Sequence, residues 1–162
     1  MKPISGKALK YGDNINTDII SPGAYMQLSI EKQAEHAMEG IDDDFTTKVK
    51  FLDIMVVGEN FGSGSSRETA PLVLKANNIK AIVAKSFARI FYRNAINIGL
   101  PVVELDTSSI DEGDELVVDV LTGKVENLTK GEEYQGVGIP SHVLKIIEDG
   151  SLKAYLKNKA RQ

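Results

Sequence analysis

Chemistry in this chain is organised around the stretch Gly58-Glu59-Asn60-Phe61-Gly62-Ser63-Gly64-Ser65-Ser66-Arg67-Glu68. Gly62 and Gly64 let a backbone approach a guest closely. Ser65 and Ser66 supply hydroxyls, and Arg67 supplies a planar fork that fits a carboxylate or phosphate with two bonds. The preceding run, Phe51 to Val57, is apolar and predicts a buried strand; the following run, Arg67 to Asn77, predicts a helix. A strand, a glycine-rich turn and a helix start aim several backbone N–H groups at one spot, with the positive end of the helix dipole behind them. The guest that suits this arrangement is an anion. A purely structural reading also exists, because Ser65 and Glu68 match the capping box, in which Ser caps a helix and Glu reaches back to it. Arg67 is not needed for capping and sits where an anion would.

Three better-known arrangements are excluded. A P-loop ends in Gly-Lys-Ser/Thr, and this turn has Ser-Arg-Glu. The hydrolase elbow places a serine within Gly-x-Ser-x-Gly, and no serine here has that spacing. The dinucleotide fingerprint fails because Arg67 stands where its third glycine belongs. Elsewhere the inventory is thin. There is no cysteine, so no disulfide, thiolate nucleophile or thiolate-bound metal cluster belongs to this chain. His36 and His142 are the two imidazoles, far apart and without ligand spacing, and read as structural or surface residues. No metal site is expected. Asp18, in the polar cluster Asn16-Thr17-Asp18, reads either as a turn residue bonding its own backbone or as a carboxylate aimed at the glycine-rich turn.

The elements that position these residues follow from periodicity and punctuation. Lys7 to Tyr11 predicts a strand, Gly12-Asp13-Asn14 a turn, and Ser21 to Leu28 a loop punctuated by Pro22 and Gly23. Ser29 caps an expected helix to Met38, ended by Gly40. Asp42-Asp43-Asp44 reads as a solvated acidic turn. Pro71 lies either in the first turn of the main helix or at a kink. Lys80 to Lys85 predicts a strand, and Phe87 to Ile98 a helix capped by Ser86. Arg89 and Arg93 share one face of that helix, towards a partner, the central turn or solvent. Val102 to Leu105 predicts another strand. Glu115 to Val120 and Lys124 to Leu128 predict a hairpin, with a turn at Lys130-Gly131-Glu132. Val143 to Glu148, capped by Ser141, and Leu152 to Lys157 predict short helices. The order gives a three-strand parallel α/β unit followed by a β-hairpin region.

At 162 residues, 42% hydrophobic and 26% charged, the chain has the make-up of one ordinary globular domain spanning residues 1–162. A net charge of −4 argues against nucleic acid and against an anionic membrane surface. No apolar run is long enough to span a bilayer, and the start lacks a signal-peptide core, so a cytoplasmic location is expected. An independent hydrolase lacks its nucleophile–base pair. A stand-alone, non-catalytic anion-binding module is compatible with the turn.

Three separated motifs carry a family resemblance: Gly12-Asp13-Asn14-Ile15-Asn16-Thr17-Asp18, Gly62-Ser63-Gly64-Ser65-Ser66-Arg67-Glu68, and Ser86-Phe87-Ala88-Arg89-Ile90-Phe91-Tyr92-Arg93-Asn94-Ala95. In this order they resemble the swivel domain of the aconitase superfamily, in the form carried by separate small subunits. The resemblance covers nearly the whole chain, best from Lys7 to Glu104. It implies a compact swivel-type domain with a central β-sheet and flanking helices. It also implies a hydro-lyase that removes water from a hydroxy acid and returns it with the hydroxyl on the neighbouring carbon. A [4Fe-4S] cluster on a partner large subunit would take the hydroxyl, and this chain, which binds no cofactor, would be inactive alone. The family pattern makes Ser65 the base, acting as an alkoxide, and Arg67 the carboxylate clamp. Ser66 and Gly64 would stand beside them, and Asp18 matches an active-site aspartate. The family reads the variable substituent of the substrate with the loop holding Met26 and Gln27. Homoaconitase-type relatives carry an arginine in that loop, and here there is none. The expected substituent is branched and apolar, as in isopropylmalate, with dimethylmalate or homoaconitate as alternatives.

Overall fold

A computed structural model describes residues 1–161. One curled, mixed sheet of seven strands forms its backbone, in the order β4-β3-β2-β1-β5-β6-β7. These strands are β1 (Ile4–Lys10), β2 (Ile54–Val57), β3 (Ala81–Ala84), β4 (Val102–Glu104), β5 (Glu115–Val118), β6 (Lys124–Asn127) and β7 (Glu132–Gln135). The first four run parallel, and β5, β6 and β7 continue antiparallel from the other side of β1. Parallel strands are covered on both faces and therefore read as unbroken apolar runs. Ile54-Met55-Val56-Val57 and Ala81-Ile82-Val83-Ala84 are buried at every position.

The helices are α1 (Thr17–Ile20), α2 (Ile30–Ala34), α3 (Phe45–Lys48), α4 (Thr69–Ala76), α5 (Arg89–Asn97), α6 (Ser141–Glu148) and α7 (Leu152–Ala160). The core fills the space between them and the sheet, with Leu9, Phe45, Met55, Phe61, Leu74, Ile82 and Phe91 fully buried. Phe61, just before the glycine-rich turn, meets Phe91 of α5 edge to face at 5.1 Å. That contact fastens the turn to α5.

Several expected boundaries move. Phe51 is 72% exposed and ends a helical turn, so β2 begins only at Ile54. The parallel unit gains a fourth strand because β1 pairs with β2. The hairpin is a three-strand meander, because the expected turn at Lys130 and Gly131 leads into a further strand, β7, that pairs with β6. The helix after Ser29 keeps its serine cap, Lys32 N–H donating to Ser29 Oγ at 3.3 Å. It stops at Ala34, and Met38 adopts a left-handed φ of 63°. Ser86 does not cap α5; its hydroxyl accepts from Asn60 N–H at 2.8 Å. Nor does Ser141 cap α6, of which it is the first residue. Pro71 lies in the first turn of α4, where its missing N–H costs nothing.

Candidate active site

The chain leaving β1 and the chain leaving β2 run side by side beyond the carboxyl edge of the parallel strands. In an open α/β sheet this is the edge where ligands bind. Backbone bonds zip the two segments: Gly58 N–H donates to Gly12 O, Asn14 N–H to Glu59 O, Gly62 N–H to Ile15 O and Thr17 N–H to Ser63 O, at 2.8–3.1 Å. This register places α1 against the glycine-rich turn. Asn16 caps α1 through its side chain, accepting from Ile19 N–H at 2.9 Å.

Two glycines shape the turn. Gly62 has φ +84°, and a Cβ there would lie 2.3 Å from Phe91 Cγ. Gly64 has φ +103°, with the Thr17 hydroxyl 3.4 Å from where its Cβ would stand. The turn then tightens, Arg67 N–H donating to the Ser65 carbonyl at 2.8 Å. The capping box is not made: α4 begins at Thr69, and no side chain caps it. Ser65 is held outside the helix because its carbonyl is spent on Arg67 and its hydroxyl faces Thr17. The helix dipole fades within a turn, so the anion-facing donors are those of the turn itself. Among the described residues nothing accepts from the N–H groups of Gly64, Ser65 or Ser66.

Thr17 carries no sequence signal of its own, yet it is the direct neighbour of Ser65. It is only 3% exposed. Its hydroxyl donates to the Ser65 carbonyl at 3.1 Å and lies 3.2 Å from Ser65 Oγ. Ser65 and Ser66 themselves are exposed. In this chain alone Ser65 is therefore open to water, with its hydroxyl beside that of Thr17.

Arg67 and Asp18 come together, and Asp18 both bonds its own backbone locally and reaches the glycine-rich turn. Arg67 Nη1 donates to Asp18 Oδ1 at 2.7 Å and to the Ser21 carbonyl at 2.9 Å. Asp18 Oδ1 also accepts from Gly23 N–H at 3.1 Å. The bond from Arg67, then that from Gly23, holds the Asp18 carboxyl below its ordinary range. Both N–H groups of Nη1 are thus committed to the frame. The opposite edge of the guanidinium, Nε and Nη2, has no acceptor among the described residues and presents two parallel donors, the geometry a carboxylate fits.

The loop after α1 closes the other side. Met26 Sδ accepts from the Thr69 hydroxyl at 3.5 Å, and Thr69 Oγ1 lies 2.9 Å from the buried Ser21 hydroxyl. Met26 thus sits beside the first residue of α4, two positions from Arg67. Gln27 is exposed and makes no hydrogen bond to the site. Gly23 packs on the Asp18–Arg67 pair, where a Cβ would stand 3.3 Å from Asp18 Oδ1. Arg89 and Arg93 are exposed and make no hydrogen bond to the central turn among the described residues. They border a mainly apolar groove of about 620 Å³ between α5 and α6. Neither forms an ion pair among the described residues. No group of three or more His, Asp or Glu among the described residues is placed to hold a metal.

Fold and site define an α/β domain that gathers Ser65, Ser66, Arg67 and Asp18 at the carboxyl edge of its parallel strands. The chain belongs to the Aconitase C-terminal domain family, whose model matches residues 7–108. It is 53% identical over 161 residues to the 3-isopropylmalate dehydratase small subunit of Caldanaerobacter subterraneus subsp. tengcongensis, covering 98% of this chain and all of that one. It is 54% identical over 154 residues to 3-isopropylmalate dehydratase small subunit 2 of Archaeoglobus fulgidus, covering 94% and 93% of the two chains. Its fold matches the crystal structure of a 3-isopropylmalate dehydratase from Methanocaldococcus jannaschii with a TM-score of 0.93 at 42% identity, over 98% of this chain and 96% of that one. The family belongs to iron–sulfur enzymes of the aconitase type. No helix among the described residues is long and apolar enough to cross a membrane.

Proposed function

We propose that this chain, acting as one swivel-type domain, is the small subunit of a cytoplasmic, two-subunit iron–sulfur hydro-lyase. The enzyme interconverts 2-isopropylmalate and 3-isopropylmalate in leucine biosynthesis. The observation that carries the reading is the convergence of Ser65, Arg67, Asp18 and Met26 on one exposed edge. The chain does not fit the cluster itself: it has no cysteine, and among the described residues no group of three or more His, Asp or Glu is placed to replace thiolates. The cluster therefore resides on the large subunit.

What this chain contributes is binding and proton handling. Arg67 fixes a substrate carboxylate through its free edge, while Asp18 and the Ser21 carbonyl keep the guanidinium flat against the turn. Ser66 and the N–H of Gly64 border the same carboxylate. Ser65 Oγ, as an alkoxide, takes the proton from the carbon next to the carbinol carbon and later returns one. A serine hydroxyl is a poor base in water, so the alkoxide needs stabilisation. A backbone N–H aimed at a buried oxyanion contributes roughly 3–4 kcal/mol, and the exposed turn realises this only once water is excluded. Closure by the large subunit supplies that exclusion, so the lone chain is inactive.

The substituent is read by the loop at Met26 and Gln27. Ser21 to Ser29 contains no cation, so a third carboxylate, as in homoaconitate, has no counter-ion there. The thioether of Met26 offers an apolar wall instead, in keeping with an isopropyl group. The test is anaerobic co-purification with an iron–sulfur large subunit. A one-to-one complex that turns over isopropylmalate, with neither subunit active alone, supports the reading. Specific carboxylate binding by the lone chain, with no capture of an iron–sulfur partner, makes it an anion-binding module instead.

A further inference from the structure

We infer that His36 and Glu39 are specificity-positioning residues: they clamp the substituent-reading loop, through Tyr25, in the position that sets Met26 beside Arg67. The inference rests on the proposed function of that loop. Gly23, Ala24, Met26, Gln27 and Leu28 are all exposed, so the loop has little packing of its own. Besides the long Thr69 hydroxyl–Met26 Sδ contact, its centre is held by one ring stack. Tyr25 stacks on His36 with ring centroids 3.7 Å apart and planes 9° from parallel. The Glu39 carboxylate lies 2.9 Å from His36 Nδ1 and faces the Tyr25 hydroxyl. The bond to Glu39 fixes the orientation of the imidazole against the Tyr25 ring.

The clamp has a rigid base. Between His36 and Glu39 lie Ala37 and Met38, both buried, and Met38 N–H donates to the Ile20 carbonyl at the end of α1 at 3.3 Å. His36 and Glu39 are therefore referenced to the helix that carries Thr17 and Asp18. The loop's far end is tied by Gln33, 4% exposed, whose Nε2 donates to the Leu28 carbonyl at 2.8 Å. Its near end is tied by Gly23 N–H on Asp18. With both ends held, the Tyr25–His36 stack decides where the centre lies, and hence how closely Met26 approaches Thr69. Ser65 and Thr17 stand on the other side of the site and do not depend on it.

The test compares His36→Ala and His36→Phe in the two-subunit enzyme, with isopropylmalate and with a malate bearing methyl in place of isopropyl. His36→Ala removes the stack and should raise KM for isopropylmalate about 10-fold and erode the preference for it by a similar factor, a one-substituent effect. kcat should stay within about 3-fold. His36→Phe keeps the stack but loses the bond to Glu39, and should recover only part of the difference. In the isolated chain, amides 23–28 should exchange hydrogen about 10-fold faster in His36→Ala while α4 stays protected. Unchanged exchange in the loop overturns the clamp. So does an equal loss of kcat/KM for both acids in step with thermal stability, which a merely structural pair would give. Failure of the wild-type pair to turn over isopropylmalate refutes the functional reading instead, and the exchange measurement then still decides the clamp.

Discussion

Replacing Arg67 with lysine separates a fork from a point charge. Arg67 meets three demands at once: Nη1 serves Asp18 at 2.7 Å and the Ser21 carbonyl at 2.9 Å, and the Nε–Nη2 edge is left for the substrate. A lysine ammonium has three donors on one atom and cannot face both the frame and a bidentate carboxylate. If it stays on Asp18, the substrate loses its clamp; if it turns to the substrate, one bond replaces two. Either way at least one charge-assisted hydrogen bond to the substrate is lost. Such a bond contributes about 1.5–3 kcal/mol, which corresponds to roughly a 10- to 150-fold fall in kcat/KM. The loss should appear mainly in KM, because the carboxylate is bound alike in the ground and transition states. Folding should barely notice, since the Asp18 side chain is 68% exposed and exposed ion pairs contribute little. The assay is steady-state kinetics of the reconstituted enzyme beside a thermal melt. A lysine variant within threefold of wild type in kcat/KM would refute the bidentate assignment.

Other consequences follow from the same geometry. Gly62→Ala puts a methyl 2.3 Å from Phe91 Cγ at a φ of +84°, and should destabilise the fold by about 2–4 kcal/mol; a urea titration showing under about 1 kcal/mol would contradict the packing described. Thr17→Val removes the hydroxyl that holds Ser65 and should lower kcat roughly 3- to 10-fold with little change in KM, whereas an unchanged kcat removes Thr17 from the site. Because the Arg67 and Gly23 bonds depress the folded-state pKa of Asp18, the pair's contribution is present above the unfolded value and lost only as pH falls through the lowered one. A carboxyl NMR titration of the chain should therefore place Asp18 below ordinary aspartates and move it upward in Arg67→Ala; no movement would mean that the ion pair is not what lowers it.

Much of the fold is legible where burial writes a pattern. β2 and β3 show as unbroken apolar runs because both their faces are covered. β7 does not, since Glu132-Glu133-Tyr134-Gln135 is an edge strand paired only with β6 and has no buried face to record. Phe51 misleads in the opposite direction, being apolar yet exposed at the end of a helical turn. Arg67 and Ser65 stand out by type and spacing, while the missing capping box does not, because only the bond from Thr17 reveals which way Ser65 turns. Thr17, Ser21 and Thr69 support the site through single hydroxyls from two segments far apart in the chain, and a lone hydroxyl has no sequence signature. His36, read from the sequence as structural or superficial, meets Tyr25 eleven positions earlier, and the intervening loop end and α2 that bring the two rings together leave no mark of that contact in the sequence.

The most direct test of the central claim is single-turnover proton exchange in the complex of this chain, carrying Ser65→Ala, with an iron–sulfur large subunit. The substrate is labelled with deuterium on the carbon that loses its proton. The account predicts that the variant assembles in one-to-one ratio and binds isopropylmalate with near wild-type affinity, because Arg67 and Asp18 are intact. It also predicts that turnover and loss of label fall together by at least about 1,000-fold, as expected when a base acting at the reacting carbon is removed. Assembly with label loss near the wild-type rate would contradict the assignment of Ser65 and move the base to another residue.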